Sequence, residues 1–210
     1  MSGYLKSYVA AAMEKDPAAT SKIMVLFTYP GVKALMWHRP ANWCYRHKMK
    51  FLARVISQHV RFWTGIEIHP GATIGKGVFI DHGAGVVIGE TAEVGNNVTL
   101  YQGVTLGGTG KDAGKRHPTI EDNVVIAAGA KVLGPFTVGK GSKIGAGSVV
   151  LKPVPENCTV VGVPGRIVKQ DGKRVDSLNQ VELPDPVLEE LRRINARLTQ
   201  IENLSGINCS

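Results

Sequence analysis

The sequence predicts a mainly β fold, a parallel β-helix with a helical region before it and a helix after it, and three observations predict it. First, an aliphatic residue returns every sixth place: Ile68, Ile74 and Ile80, then after a slip of two Ile88, Val94, Leu100 and Leu106. After a longer interruption the count resumes at Ile120, Ile126, Val132, Val138, Ile144 and Val150. Second, 21 of the 25 glycines lie between Gly65 and Gly165. Third, the place four after the aliphatic is mostly small or β-branched, as at Ala72, Val78, Ala84, Ala92, Val98, Val104, Val124, Ala130, Ser142 and Ser148. Neither a helical period nor a two-residue alternation produces this pattern. A hexad is the mark of stacked triangular coils. The aliphatic points into the prism, glycines allow the corners, and each coil hydrogen-bonds the next at the ~4.8 Å strand spacing.

Composition shifts divide the 210 residues into three parts: a helical region at 1–64, the prism at 65–168, and a linker with a last helix at 169–210. Residues 1–64 hold ten Lys/Arg and two Asp/Glu, so the whole formal charge of +8 sits there, with all three tryptophans. Asp16-Pro17 and Arg39-Pro40 are expected to open helical segments, with proline at the first helical position. Phe51, Leu52, Val55, Ile56, His59, Phe62 and Trp63 keep helical spacing until Gly65 stops the run. Pro184-Asp185-Pro186 opens the last helix, where Val187, Leu191, Ile194, Leu198 and Ile201 form a heptad seam. Leucine at a with β-branched residues at d suits three or more strands. The alternative is that this seam packs on its own chain.

Several function classes are excluded at this level. A hydrophobic content of 43% with 20% charged residues is that of a globular protein. No apolar run is long enough to span a bilayer, so no membrane role is expected. No recognised nucleic-acid module is present, and the basic excess reads as a solvated helical face. Cys44, Cys158 and Cys209 form no CxxC pair, which points to a reducing cytoplasm and away from a disulfide scaffold.

Six histidines occur in different settings. His38, His47 and His59 lie in helical segments and read as surface or packing residues. His69, His82 and His117 sit within the prism, where a bulky titratable ring has little packing reason to be. His82 follows Asp81, and His117 follows Arg116 at the end of the loop 107–118 that breaks the hexad register. Insertions that interrupt a stacked coil project outward and carry function. This glycine-rich loop is no nucleotide cradle: Thr109 and Arg116 stand where a P-loop needs glycine and Ser/Thr, and no βαβ unit surrounds it.

The segments Glu67-Ile68-His69-Pro70-Gly71-Ala72, Ile80-Asp81-His82-Gly83, Gly85 to Thr91, Gly103 to Lys111, Lys115-Arg116-His117-Pro118 and Val161 to Arg166 together resemble the serine O-acetyltransferases. These belong to the hexapeptide acyltransferase superfamily, and the resemblance runs from about Asp16 to Val168. It implies a left-handed coil, which periodicity alone does not reveal. It also implies transfer of the acetyl group of acetyl-CoA to the hydroxyl of L-serine, giving O-acetylserine for cysteine biosynthesis. A free hydroxyl is a poor nucleophile, and a neutral imidazole is the base suited to it near pH 7.

Residue by residue, the resemblance makes His82 the base, Glu67 the carboxylate behind it and His117 a second active-site histidine. Arg116 would hold the serine carboxylate, and Asp16 and Asp81 its ammonium group. Gly107, Gly108, Thr109 and Lys111 would close over the thioester, Ala128 and Ala146 line the pantetheine arm, and Lys143 and Arg166 meet the phosphates. Acetyl-CoA would lie between neighbouring prisms of a homotrimer, with no acyl-cysteine intermediate and no metal. L-cysteine is expected as a feedback inhibitor. The chain ends Ile207-Asn208-Cys209-Ser210, without the terminal isoleucine that some family members dock into the sulfhydrylase, which counts against that partnership. A short helical region favours a simple trimer over a hexamer. Two other readings stand beside this one. One is transfer to a different hydroxyl acceptor; the other is a zinc hydratase of the carbonic anhydrase type using His69, His82 and His117.

Overall fold

The computed structural model describes residues 2–110, 114–171 and 193–197. Four helices come first: α1 (Ser2–Lys15), α2 (Lys22–Thr28), α3 (Pro30–Arg46) and α4 (Lys50–Thr64). Fifteen short strands follow and build a left-handed parallel β-helix with three faces. Face A stacks β1 (Glu67–Ile68), β4 (Val87–Ile88), β7 (Thr105–Gly107), β10 (Lys131–Leu133) and β13 (Val149–Val150). Face B stacks β2 (Thr73–Ile74), β5 (Glu93–Val94), β8 (Thr119–Ile120) and β11 (Thr137–Val138). Face C stacks β3 (Phe79–Ile80), β6 (Thr99–Leu100), β9 (Val125–Ile126), β12 (Lys143–Ile144) and β14 (Cys158–Val161), closed by antiparallel β15 (Arg166–Gln170).

Each hexad aliphatic is the inward residue of its strand, and all thirteen are at most 5% exposed. Registers run straight down each face, so Ile68 stacks on Ile88, Ile88 on Leu106 and Leu106 on Val132. The core is therefore a column of aliphatics, with Ser142 and Ser148 buried near its lower end. Ser142 donates to Pro155 O at 2.7 Å and accepts from Cys158 N at 3.1 Å, so its hydroxyl is satisfied. One place differs from the sequence reading. Ala84 is exposed, and Val86 takes the inward place expected of it, fully buried. The slip of two is a bulge at 81–83, so everything after it is displaced by two.

The prism's first coil has no coil above it, and the upward carbonyls need donors. The helices supply them. Ser57 donates to Ile68 O at 3.1 Å, Asn42 to Pro70 O at 2.7 Å, and Arg39 to Ile74 O at 2.8 Å. Tyr8 donates to Gly75 O at 3.2 Å, and His38 Nε2 donates to Ala72 O at 3.2 Å. Burial holds the His38 imidazole neutral, with its pKa lowered to about 3. Gly31 makes the close approach possible, because a Cβ there would sit 2.2 Å from Ile80 O.

Both proline-based helix starts are corrected. Ser21 caps α2, accepting from Met24 N at 3.2 Å, while Asp16 accepts from Ala18 N at 2.8 Å in a turn. Pro40 lies inside α3, which continues past it. His38, Arg39 and Asn42, on both sides of that proline, are anchored to the first coil, and this outweighs the missing N–H. Gly65 ends α4 in the left-handed region at φ 69°, as the spacing predicts. The apolar run of α4 does not pack inward, however: Phe51, Phe62 and Trp63 are 85%, 78% and 72% exposed. The buried face carries the smaller Ala53 and Ser57.

Among the described residues no helix is long and apolar enough to cross a membrane. Cys44 and Cys158 are buried free thiols, whereas Cys209 lies outside the described residues. The heptad seam lies outside them too, apart from the helical residues 193–197.

Candidate active site

The two breaks in the hexad register fall on the two edges of face A. The edge where face C turns into face A carries the bulge. There Gly83 N donates to Asp81 O at 2.6 Å, a three-residue turn with His82 at its apex. His82 has φ 56°, in the left-handed region, and its ring is exposed. Among the described residues, the other left-handed residues of the prism corners are Gly or Asn, as at Asn97, Asn123 and Asn157. A histidine there is a strained choice of the kind found at functional sites. Gly83 holds the bulge against the core, since a Cβ would meet Ile66 Cδ1 at 2.4 Å.

The corners below His82 line up with it. Gly103 N donates to Ala84 O, Gly129 N to Gln102 O and Gly147 N to Ala128 O, each at 2.8 Å. Ala128 and Ala146 therefore fall in one column beneath the bulge, Ala146 exposed and Ala128 half-buried. The same column continues upward, where Gly85 N donates to Gly65 O at 2.9 Å, two residues before Glu67. The Glu67 carboxylate faces α4: it lies 3.3 Å from Arg61 and 3.9 Å from Arg54.

Asp16 and Asp81 also gather at this edge. Lys15 donates to Asn97 O at 3.0 Å and to Thr99 Oγ1 at 2.9 Å, which pins the end of α1 to the prism. Asp16 next to it accepts from the Tyr29 hydroxyl at 2.5 Å. That bond, more than burial, pushes the Tyr29 hydroxyl up to about 12, with Asp16 and Asp81 charges adding. Burial pushes the Asp81 carboxyl up; His82 opposes the shift and Asp16 reinforces it. Two carboxylates near enough for the Asp16 charge to add to the effect of burial on Asp81 form a place that favours a cation.

The opposite edge, where face A turns into face B, carries the loop. His117 is buried, at 8% exposure. Its Nδ1 accepts from Thr91 N at 3.2 Å and meets Thr91 Oγ1 at 2.9 Å. A Cβ on Gly89 would lie 2.1 Å from Nε2, so only glycine admits this ring. Burial, then Arg116, holds the His117 pKa below its ordinary value. Arg116 donates to Glu90, whose other oxygen accepts from the Tyr45 hydroxyl at 2.7 Å. The Tyr45 bond and, behind it, Arg116 keep the Glu90 carboxyl below the usual carboxylate range.

Gly107 ends β7, Gly108 is half-buried against Arg116 O, and Thr109 is exposed. Lys111 lies outside the described residues. Lys143 is on face C and Arg166 on β15. His69 also stands on this edge, its Nδ1 accepting from Gly71 N at 3.0 Å.

Within one chain, then, the structure brings Asp16, Asp81, His82, Ala128 and Ala146 to one edge of face A. It brings Arg116, His117 and the start of the 107–118 loop to the other. It does not bring His82 and His117 together, nor do the three prism imidazoles converge within a chain. Sequence reasoning missed Tyr29, Tyr45, Glu90 and Thr91 as members of these clusters. Glu90 and Thr91 stand inside a segment that carries the family resemblance, which was the available signal.

Comparisons with known proteins agree with one another. Residues 117–152 match the family model described as bacterial transferase hexapeptide (six repeats). The chain is 59% identical over 199 residues to a serine acetyltransferase of Bacillus licheniformis, covering 94% of this chain and 92% of that protein. A crystal structure of a serine acetyltransferase from Vibrio cholerae O1 biovar El Tor superposes with a TM-score of 0.82 at 45% identity, over 85% of this chain and 70% of that one. A serine acetyltransferase in complex with cysteine superposes equally well, with a TM-score of 0.82 at 41% identity and the same coverage of both chains.

Proposed function

This chain belongs to the serine acetyltransferase family, and we propose that it moves the acetyl group of acetyl-CoA to the hydroxyl of L-serine with His82 as the base. The observation that carries the reading is His82 at a strained, exposed apex, in line with the small residues Ala128 and Ala146. An extended thiol arm can lie along Ala128 and Ala146, with the exposed Gln102 in the same column between them and the bulge. With the arm there, the thioester reaches the imidazole.

The step is a direct transfer. His82 takes the hydroxyl proton of serine as its oxygen bonds to the thioester carbon. The carbon–sulfur bond then breaks, and the imidazolium returns the proton to the leaving thiolate. Glu67 stands behind His82 in this scheme and orients the ring, with Arg61 and Arg54 neutralising its charge. Asp16 and Asp81 receive the ammonium group. Arg116 has donors to spare beyond its bond to Glu90 and takes the carboxylate, with His117 beside it. Gly107, Gly108, Thr109 and Lys111 close over the thioester, and Lys143 and Arg166 meet the phosphates. Cysteine presents the same ammonium and carboxylate with a thiol in place of the hydroxyl, so it occupies the serine site as an inhibitor. A relative's complex with cysteine supports this.

The two sets of groups stand on opposite edges of face A, so a complete site needs the His82 edge of one chain against the His117 edge of another. A closed ring of three prisms supplies three such sites. Co-expression of His82→Ala and His117→Asn chains tests it. At serine concentrations well below KM each variant alone turns over little, and the mixed assembly should recover about a quarter of wild-type turnover from statistical pairing. No recovery would place both histidines in one chain's site and refute the shared arrangement.

A further inference from the structure

Thr91 commits nearly all of its polar groups to one short segment, residues 115–117. Its carbonyl accepts from Lys115 Nζ at 2.9 Å. Its hydroxyl oxygen accepts from Arg116 N at 3.0 Å and from His117 N at 3.1 Å. A hydroxyl has two lone pairs and one proton. With both lone pairs taken by backbone N–H groups, the proton goes to the remaining neighbour, His117 Nδ1, at 2.9 Å. The Thr91 N–H points at the same nitrogen from 3.2 Å. Two donors therefore face Nδ1, and the hydrogen-bond network assigns the ring proton to Nε2.

We propose that Thr91 is a positioning residue that makes His117 a fixed Nε2–H donor, so that it grips substrate and cannot serve as a second base. The inference rests on the reading of His117 as a serine contact and says what kind of contact it is. A neutral imidazole has one acceptor nitrogen, and here it is filled. His82 is then left as the single base of the site. Among the described residues, the charged and titratable groups around the ring are Arg116 and Lys115 on its own loop, Glu90 on the second coil and His69 on the first. Arg116 and Lys115 disfavour the imidazolium, and Glu90 favours it. Protonating Nδ1 would in addition drive a proton against two donors, which reinforces the neutral form.

The test uses the full-length enzyme, labelled with ¹⁵N-histidine, alongside Thr91→Val and Thr91→Ser. In the wild type, His117 should titrate as an Nε2–H imidazole. Thr91→Val should move that titration to higher pH and raise the serine KM about tenfold, the usual worth of a lost buried hydrogen bond, with the acetyl-CoA KM unchanged. Thr91→Ser should restore both within about threefold. The proposal is overturned if wild-type His117 carries its neutral proton on Nδ1, a result that needs no variant to fold. It is also overturned if Thr91→Val changes the serine KM but leaves the titration in place, which would make the role purely structural. A Thr91→Ser variant that behaves like Thr91→Val would overturn it as well. His117→Asn separates the two levels: an unchanged serine KM there removes His117 from the serine site, while the wild-type and Thr91→Val spectra still report whether Thr91 sets the tautomer.

Discussion

The bulge at His82 and the loop ending at His117 both break the hexad register, yet they treat an imidazole in opposite ways. The bulge exposes its ring at the apex of a left-handed turn. The loop buries its ring, fills Nδ1 with two donors and closes the space above it to any residue larger than Gly89. A base has to accept a proton and give it back, so it needs an open nitrogen. A gripping group has to present one donor at one angle, so it needs a pinned ring. Histidine supplies either role, and its surroundings decide which.

His82→Ala breaks the comparison most directly. Turnover measured by thiol release should fall about 10²–10⁴-fold, the worth of a general base. Near-normal turnover would mean that the exposed ring is not the base. Arg116→Ala probes the pinned side, and there the loss should appear as a serine KM raised about 10–100-fold, since hydrogen bonds to charged groups are worth about 1.5–3 kcal/mol. A fall in kcat with serine KM unchanged would move Arg116 from gripping to chemistry. The smallest effect sharpens the contrast in strain. His82→Gly should raise unfolding free energy by about 1 kcal/mol while losing as much turnover as His82→Ala, because glycine enters the left-handed region freely. An equal or lower stability would show that the turn at His82 stores no strain.

The prism was legible from the sequence nearly residue by residue, because each coil packs only on its neighbours and the hexad states which residue points inward. Even the two departures from it were visible as slips in the count. The helices were less legible. Pro40 reads locally as a helix start, yet it sits mid-helix because His38, Arg39 and Asn42 reach carbonyls some 30 residues away. The run from Phe51 to Trp63 keeps its helical spacing, but spacing does not say what the run faces, and Phe51, Phe62 and Trp63 are exposed. In the candidate site, His82 and His117 could be picked out as rings with no packing reason to be there. Tyr29 on Asp16 and Tyr45 on Glu90 could not, because a tyrosine in a helical segment has ample packing reasons.

By itself the sequence determined the stacked coil, its face-by-face pattern and its two interruptions, and through motif likeness it raised the expectation that the interruptions carry the chemistry. Tertiary structure alone decided which edge each interruption occupies and which groups face Nδ1 of His117. Periodicity is a one-dimensional signal that survives because its contacts repeat at a constant interval. The Thr91–His117 contact spans 26 residues and an inserted loop, and no repeat in the chain encodes that meeting.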